Sequence, residues 1–413
     1  MEDDQTKYIL SKDVVRETSG ASHPVLRNSF TGMRLKVSTE TIRLLSAFQD
    51  KAMTKAEAAA HFQISELQGI SLLNGLLDQM IENTILLPAE NALRFQYNRL
   101  QKLLEQDPFV LPRLTFCDCP SVRLSNLAKR MMVIGGVPID AGTTVIPGAR
   151  LAPDVLRETS AQFATFERDF ASGKGSGWYN ADTQSVILTG ANVVDIGNVA
   201  IRPGEDLMCV YQRCYYGATE ILNKKCLPIF IGGDHSISAP LIKACHDVVG
   251  EEIIVIQFDA HTDTAEWDPC LPSHHGNVIS RIFAESERVK VMQYGVRGFC
   301  GRLSDDPMYV TYPQRQLISC GNYDEIVPRQ RKCYITVDVD VLDPAFTPGT
   351  GTPVPLGMNP HQLLDMLQKI VEFNDVIGVD IVELNPLVDI NKATSSLLFH
   401  ILMCLLGWID KRR

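Results

Sequence analysis

Three ionisable side chains stand two apart in the stretch DAHTD, residues 259–263, directly after the apolar run EEIIVIQF. An extended chain would turn Asp259, His261 and Asp263 to one side and Ala260 and Thr262 to the other. The run KCYITVDVDVLDP repeats the situation, with Asp338 and Asp340 two apart at its end and Asp343 in the turn that follows. In LPIFIGGDHS, Gly232 and Gly233 permit a sharp turn, from which His235 projects. Bare carboxylates cannot gather at partly buried strand ends, because desolvation and like-charge repulsion would protonate several of them. A metal centre removes the difficulty. Four carboxylates and two imidazoles (His235, Asp259, His261, Asp263, Asp338 and Asp340) exceed what one tetrahedral zinc ion needs. They suit two octahedrally inclined ions such as manganese, bridged by carboxylates, and two ions sharing a water would supply hydroxide near neutral pH. Each motif alone also has a plain reading: DxD is a common turn or single-magnesium site, and GGDHS can be a tight loop capped by Asp234. Three of them at successive strand ends point to metal.

The elements that must position these groups follow from hydrophobic patterning. MMVIGGVPID, VVDIGNVAI, CLPIFIGGDHS, EEIIVIQFDAHTD, VKVMQYGVRG, KCYITVDVDVLDP and VIGVDIVELNP are short apolar runs that end in Gly, Asp or Pro, and amphipathic segments follow them. Buried runs alternating with helices indicate βαβ units, hence an α/β fold with a mainly parallel sheet covered on both faces. Ligands of such sheets sit at the carboxyl ends of the strands. The polar clusters lie at those ends.

A chain of 413 residues with 45% hydrophobic content can bury a large core and has room for two domains. The net charge of −10 argues against nucleic acid or anionic membrane as partners and suits a cationic substrate. No run of eighteen apolar residues occurs, and MEDDQTKY lacks the basic and apolar regions of a signal peptide, so a cytoplasmic location is expected. The eleven cysteines have neither zinc-finger nor redox-motif spacing.

Three regions are expected: a small mixed unit over 1–90, a connector over 91–127 and a catalytic domain over 128–413. In the first, KYILSKDVVRE and HPVLRNSFTGMRLKVS read as β-strands, with a turn at NSFTG. Ser38 and Thr54 are placed to cap two helices, and a third carries Leu67, Ile70, Leu73, Leu76, Leu77 and Met80 on one side. This hairpin-and-three-helix order resembles a winged helix, and in particular the PqqD-like peptide-recognition domains. Residues 1–88 hold nine Lys and Arg against eleven Asp and Glu, so the positive footprint of a DNA reader is missing. Peptide capture and a role in assembly both remain open for this unit.

GVPIDAGTTVIPGAR (136–150), GGDHS (232–236), DAHTD (259–263), DVDVLDPAFTPGTGTP (338–353) and VELNP (382–386) together resemble the ureohydrolases, which include arginase and agmatinase, over about residues 128–410. The resemblance implies a three-layer αβα arginase-like fold, two Mn2+ ions per subunit held by the six residues above, and hydrolysis of a guanidino group to urea and an amine. Nickel is chemically tolerable at the same ligands. The resemblance also implies that Asp263 accepts a proton and passes it toward the leaving nitrogen, that Glu383 pairs with the substrate guanidinium, and that His275 of SHHGN shuttles protons. His274 reads as a loop neighbour. A homotrimer or homohexamer is implied as well.

After DAHTD the chain continues TAEWDPCLPSHHG, without the asparagine by which arginases grip free arginine. The loop and the added N-terminal unit together favour a peptide arginase, converting peptidyl-arginine to peptidyl-ornithine in a precursor peptide held by that unit. The alternative is a small-molecule guanidinohydrolase acting on agmatine or guanidinobutyrate. A catalytically dead ureohydrolase acting as a binding protein is the alternative of another class.

Overall fold

The computed structural model describes residues 5–413 apart from 12–13, 18–23, 29–33, 50, 84, 90–107, 163–176, 190–191, 269–270, 287, 301–302, 304–305 and 321. The chain divides into two compact units, Met1–Gln106 and Asp107–Arg413.

In the first unit, strands Val14–Glu17, Val25–Asn28 and Arg34–Lys36 form an antiparallel meander, and Tyr8–Leu10 pairs with Leu86–Pro88. Helices Thr39–Ser46, Lys55–His61 and Leu67–Glu82 lie between. Both expected caps are made. Ser38 Oγ accepts from Thr41 N at 3.1 Å, and Thr54 exchanges hydrogen bonds with Glu57 at 3.0 and 2.9 Å, which satisfies first-turn amides that lack helical partners. Leu73, Leu77 and Met80 are buried against Leu44, Leu45 and Phe48, but Leu67 is 88% exposed because it opens the third helix before its apolar face meets the core. Most of the NSFTG turn lies outside the described residues.

In the second unit, nine strands among the described residues form one sheet. They are β1 (Phe109–Val110), β2 (Met132–Gly136), β3 (Val193–Val199), β4 (Leu227–Ile231), β5 (Ile253–Phe258), β6 (Val289–Tyr294), β7 (Tyr309–Tyr312), β8 (Lys332–Asp338) and β9 (Asp375–Val382). Their order is β7-β6-β5-β8-β9-β4-β2-β3-β1, parallel throughout except for β1 at one edge. Every residue of β4 and β5 is buried, which requires cover on both faces. The cover comes from helices α1 (Ala152–Ala161), α2 (Leu207–Asn223), α3 (Ser238–Val249), α4 (Val278–Glu285), α5 (Pro360–Phe373) and α6 (Ala393–Arg412). Helix α6 is long and apolar enough by composition to cross a membrane, but Leu398, Ile401, Leu402, Leu405 and Leu406 belong to the core instead.

All seven runs expected as strands are present. Those at β1 and β7 were not anticipated, being short and without clear alternation. The stretch 108–127, expected as connector, is built into the second unit: β1 pairs with β3, and Phe116 and Cys117 lie in the core. Asp195 of β3 secures it by accepting from Phe116 N at 3.0 Å.

The same carboxylate meets Arg157 of α1, whose Nε and Nη2 donate to it at 2.8 and 2.9 Å while Nη1 donates to Asn198 Oδ1 at 2.6 Å. Arg157 is 1% exposed and Asp195 0%. Truncating one partner leaves a buried charge uncompensated, so Arg157→Ala should lower stability by about 3–5 kcal/mol, read as a shift in the denaturation midpoint.

Candidate metal centre

The loops that carry the candidate groups leave the carboxyl ends of adjacent central strands: GGDHS after β4, DAHTD after β5 and DVD at the end of β8, with Glu383 following β9. Turn chemistry places the first. The glycines serve close approach: a Cβ on Gly233 would lie 1.7 Å from the Ile139 carbonyl oxygen. That contact lets Asp234 N donate to Ile139 O at 2.9 Å and Glu383 N donate to Gly233 O at 2.9 Å, so three of the motifs are stitched together by main chain.

The extended DAHTD expected from side-chain parity is not what forms. The strand stops at Phe258, Asp259 Oδ1 accepts from His261 N at 2.5 Å, and Asp263 adopts a left-handed backbone with φ of 52°. An ionic cluster and a short Asx-type bond outcompete continuation of the strand. The three side chains still converge, but they are divided between two groups. His235, Asp259 and Asp263 form one triad, and Asp259, His261 and Asp340 form the other, with the ligand atoms of each triad within 4.8 Å of one another. Asp259 belongs to both.

His235 Nδ1 lies 3.1 Å from Asp259 Oδ2, 2.9 Å from Asp263 Oδ2 and 3.4 Å from Asp338 Oδ2. His261 Nδ1 lies 2.9 Å from Asp340 Oδ2 and 3.6 Å from Asp259 Oδ1. All six side chains singled out in the sequence therefore meet. The 3₁₀ turn after β8 parts the aspartates: Asp338 Oδ1 accepts from Asp340 N at 2.9 Å, so Asp338 turns toward His235 and Asp340 toward His261. Asp343 stays outside, holding its own turn through Ala345 N and Gly357 N at 2.9 Å each.

These donors fit a pair of cations. His235 is completely buried, and its Nε2 is committed to Thr336 Oγ1 at 2.9 Å. Its Nδ1 makes no aligned hydrogen bond despite three carboxylate oxygens nearby. A buried ring nitrogen aimed at three carboxylates with no aligned bond to any of them is what a positive ion between them satisfies.

In its protein atoms alone the cluster balances its charge with protons. Burial works against a charged His261, but Asp259 and Asp340 outweigh it and push the imidazole up to about 12. Burial likewise opposes charge on His235, yet Asp259, Asp263 and Asp338 carry it well above the ordinary histidine range. Burial and the neighbouring Asp259 raise Asp263 to about 7, and burial with Asp340 and Asp259 raises Asp338. Asp259 moves the opposite way, because His235 and His261 outweigh its burial. Ligation needs these protons gone, and raised pKa values mean that more of them are present as pH falls. Metal affinity should therefore weaken steadily from pH 8 to pH 6. Titration calorimetry in buffers of differing ionisation enthalpy should register net proton release on binding.

Beside the triads, Glu383 is 1% exposed and has a left-handed backbone, φ 65°. Its Oε1 accepts from His235 N at 2.9 Å and lies 3.2 Å from His275 Nδ1. A non-glycine residue held in that region is strained, and such strain concentrates at functional sites. His275 Nε2 lies 2.7 Å from Thr144 Oγ1 and accepts from Thr144 N at 3.2 Å. Burial pulls the His275 imidazolium down, but the hydrogen bond and charge of Glu383 outweigh it and raise the pKa. His274 caps the short 275–277 turn by accepting from Gly276 N at 3.2 Å, in keeping with a loop role.

Sequence reasoning did not single out Thr144, Gln257, Thr336 or Asn385. Asn385 Nδ2 ties VELNP to the GVPID loop by donating to the Ile146 and Pro147 carbonyls at 3.1 and 3.2 Å. Gln257 and Thr336 did leave a signal, as polar residues inside otherwise apolar strand runs.

The model of the arginase family matches residues 130–407. The chain is 31% identical to the mitochondrial guanidino acid hydrolase of Homo sapiens over 293 residues, covering 67% of this chain and 77% of that one. It is 30% identical to the mitochondrial agmatinase of Gallus gallus over 290 residues, covering 66% and 80%. Among solved structures, a hypothetical agmatinase from Burkholderia thailandensis superposes with a TM-score of 0.63 at 28% identity, covering 72% of this chain and 91% of that one.

Proposed function

This chain belongs to the arginase family, as a guanidino hydrolase of the arginase and agmatinase type, and we propose that its substrate is a small guanidino amine or guanidino acid. The observation that carries the reaction class is the pair of carboxylate and imidazole triads sharing Asp259, with Glu383 and His275 alongside. Support for a small substrate comes from the relatives, which are named for agmatine and guanidino acids and align along the catalytic unit. The peptidyl-arginine substrate expected from the loop and the N-terminal unit has no counterpart among them.

Family enzymes use a binuclear metal centre, and His235, Asp259, His261, Asp263, Asp338 and Asp340 would hold it here. Manganese is the proposed ion, since carboxylate-rich sets with two imidazoles suit it. When bound, such a pair acidifies water and so provides a nucleophile near neutral pH. The protein's own groups do the rest. Glu383 commits Oε1 to His235 N and His275, which leaves Oε2 to meet the guanidinium and fix its plane. Asp263 takes up the proton released as water attacks the guanidino carbon. His275, its pKa raised by Glu383, takes up a proton and passes it to the departing amine, and urea and the amine leave.

The test is urea release by manganese-loaded protein offered agmatine, 4-guanidinobutyrate, arginine and an arginine-containing peptide in parallel. Urea from agmatine or guanidinobutyrate, with none from the peptide, is the expected result. Urea from the peptide alone would overturn the substrate assignment, and urea from none of them despite two bound ions would overturn the activity. Elemental analysis of active preparations distinguishes manganese from nickel.

A further inference from the structure

A parallel sheet covered on both faces is ordinarily apolar inside, yet one register row of this sheet is polar across five adjacent strands. Thr311 of β7 pairs with Gln293 of β6, Gln293 with Gln257 of β5, Gln257 with Thr336 of β8, and Thr336 with Asp380 of β9. Residues paired in register on neighbouring strands project from the same face. The four inner positions are all 0% exposed. Burying a carboxylate, two carboxamides and a hydroxyl is costly unless their bonds are made, so the row needs a reason.

The bonds run one way. Thr262 O is a main-chain carbonyl that can only accept, and Gln293 Nε2 lies 2.8 Å from it, which fixes the orientation of the Gln293 amide. Gln293 Oε1 must then face the hydroxyls, accepting from Tyr309 Oη and, at 3.3 Å, from Thr311 Oγ1. Its Nε2 also donates to Gln257 Oε1 at 2.5 Å, which turns Gln257 Nε2 toward Asp259 Oδ2 at 2.8 Å. One strand further along, Thr336 Oγ1 lies 2.9 Å from His235 Nε2, so a ring that donates from Nε2 turns its Nδ1 lone pair to the carboxylates once that nitrogen gives up its proton. The chain thus touches DAHTD twice, at the Asp259 carboxylate and at the Thr262 carbonyl, immediately before the left-handed Asp263.

We infer that this polar row is a positioning platform, in which Gln257, oriented by Gln293 and Tyr309, sets the plane of the shared Asp259 carboxylate, and Thr336 sets the tautomer of His235. The inference deepens the metal-centre reading and rests on it. An amide in this place can donate without ever taking up the ligand's proton. A carboxylate held in plane keeps Oδ1 on the His261 side and Oδ2 on the His235 side.

The test is titration calorimetry of Mn2+ into metal-stripped full-length protein. Gln257→Met, close in volume and without an amide, should bind at least one of the two ions about 10–100-fold more weakly, as should Thr336→Val. Thr336→Ser, which restores the hydroxyl, should recover wild-type affinity. Metal-free melting curves serve as the folding control. Wild-type affinities in Gln257→Met and Thr336→Val, or failure of Thr336→Ser to recover where Thr336→Val is weakened, would overturn the inference. Should Gln257→Met not fold, Tyr309→Phe removes the hydroxyl at the outer end of the chain and should still weaken binding by a few-fold; unchanged affinity there counts against the platform equally. Wild-type protein that binds no pair of ions would instead overturn the metal-centre reading, so the two failures are distinguishable.

Discussion

Asp259→Asn should leave a folded protein that binds at most one ion tightly and releases almost no urea. Asp259 alone is common to both triads, so its charge is the one that both ion sites draw on. The amide keeps the shape of the carboxylate, and its oxygen can still accept from His261 N or from Gln257 Nε2. What it loses is the negative charge between His235 and His261, together with the ability of two anionic oxygens to serve two cations. A metal centre contributes several kcal/mol of transition-state stabilisation, so the expected fall in kcat is about a thousandfold or more. Elemental analysis gives the ion count and urea assays the rate. Two tightly bound ions per chain in the variant would show that Asp259 is not the shared ligand.

Glu383→Gln should lower kcat/KM by about a hundred- to a thousandfold, the range expected when a buried, hydrogen-bonded charge loses its ionic partner. The substitution is conservative for the fold, since the glutamine oxygen can still accept from His235 N. It removes the charge proposed to meet the guanidinium and the charge that raises His275. A histidine with a raised pKa keeps its proton to higher pH than usual, so its acid function is complete below that pKa and lost as pH rises through it. Without the Glu383 charge the pKa falls, and the alkaline limb of the pH–rate profile should move to lower pH. A loss of rate with an unmoved limb would separate Glu383 from His275 and leave it a substrate contact only.

Much of this site was legible because its information is local. DAHTD, GGDHS and DVDVLDP each put candidate ligands within a few residues, and the apolar run ahead of each fixes it at a strand end. Six donors of two kinds at such ends admit few stable arrangements besides metal binding. The seven main strands were legible for the same reason. Residues 108–127 were not, because β1 has two residues and owes its place to pairing with β3 and to Asp195, more than eighty residues further along the chain.

Sequence by itself determined which acidic and imidazole groups would gather and at which ends of which strands, because periodicity and residue chemistry are properties of short segments. Only the tertiary structure decided how they are shared. Strand order brings β4, β5, β8 and β9 side by side, the left-handed turn at Asp263 sends it to His235 and not to His261, and Asp259 falls between the two triads. Parity along an extended chain pointed to a single convergent face. The division into two triads arises from turns and through-space charge pairing, which depend on residues as far apart as His235 and Asp338 and cannot be read from any one of them.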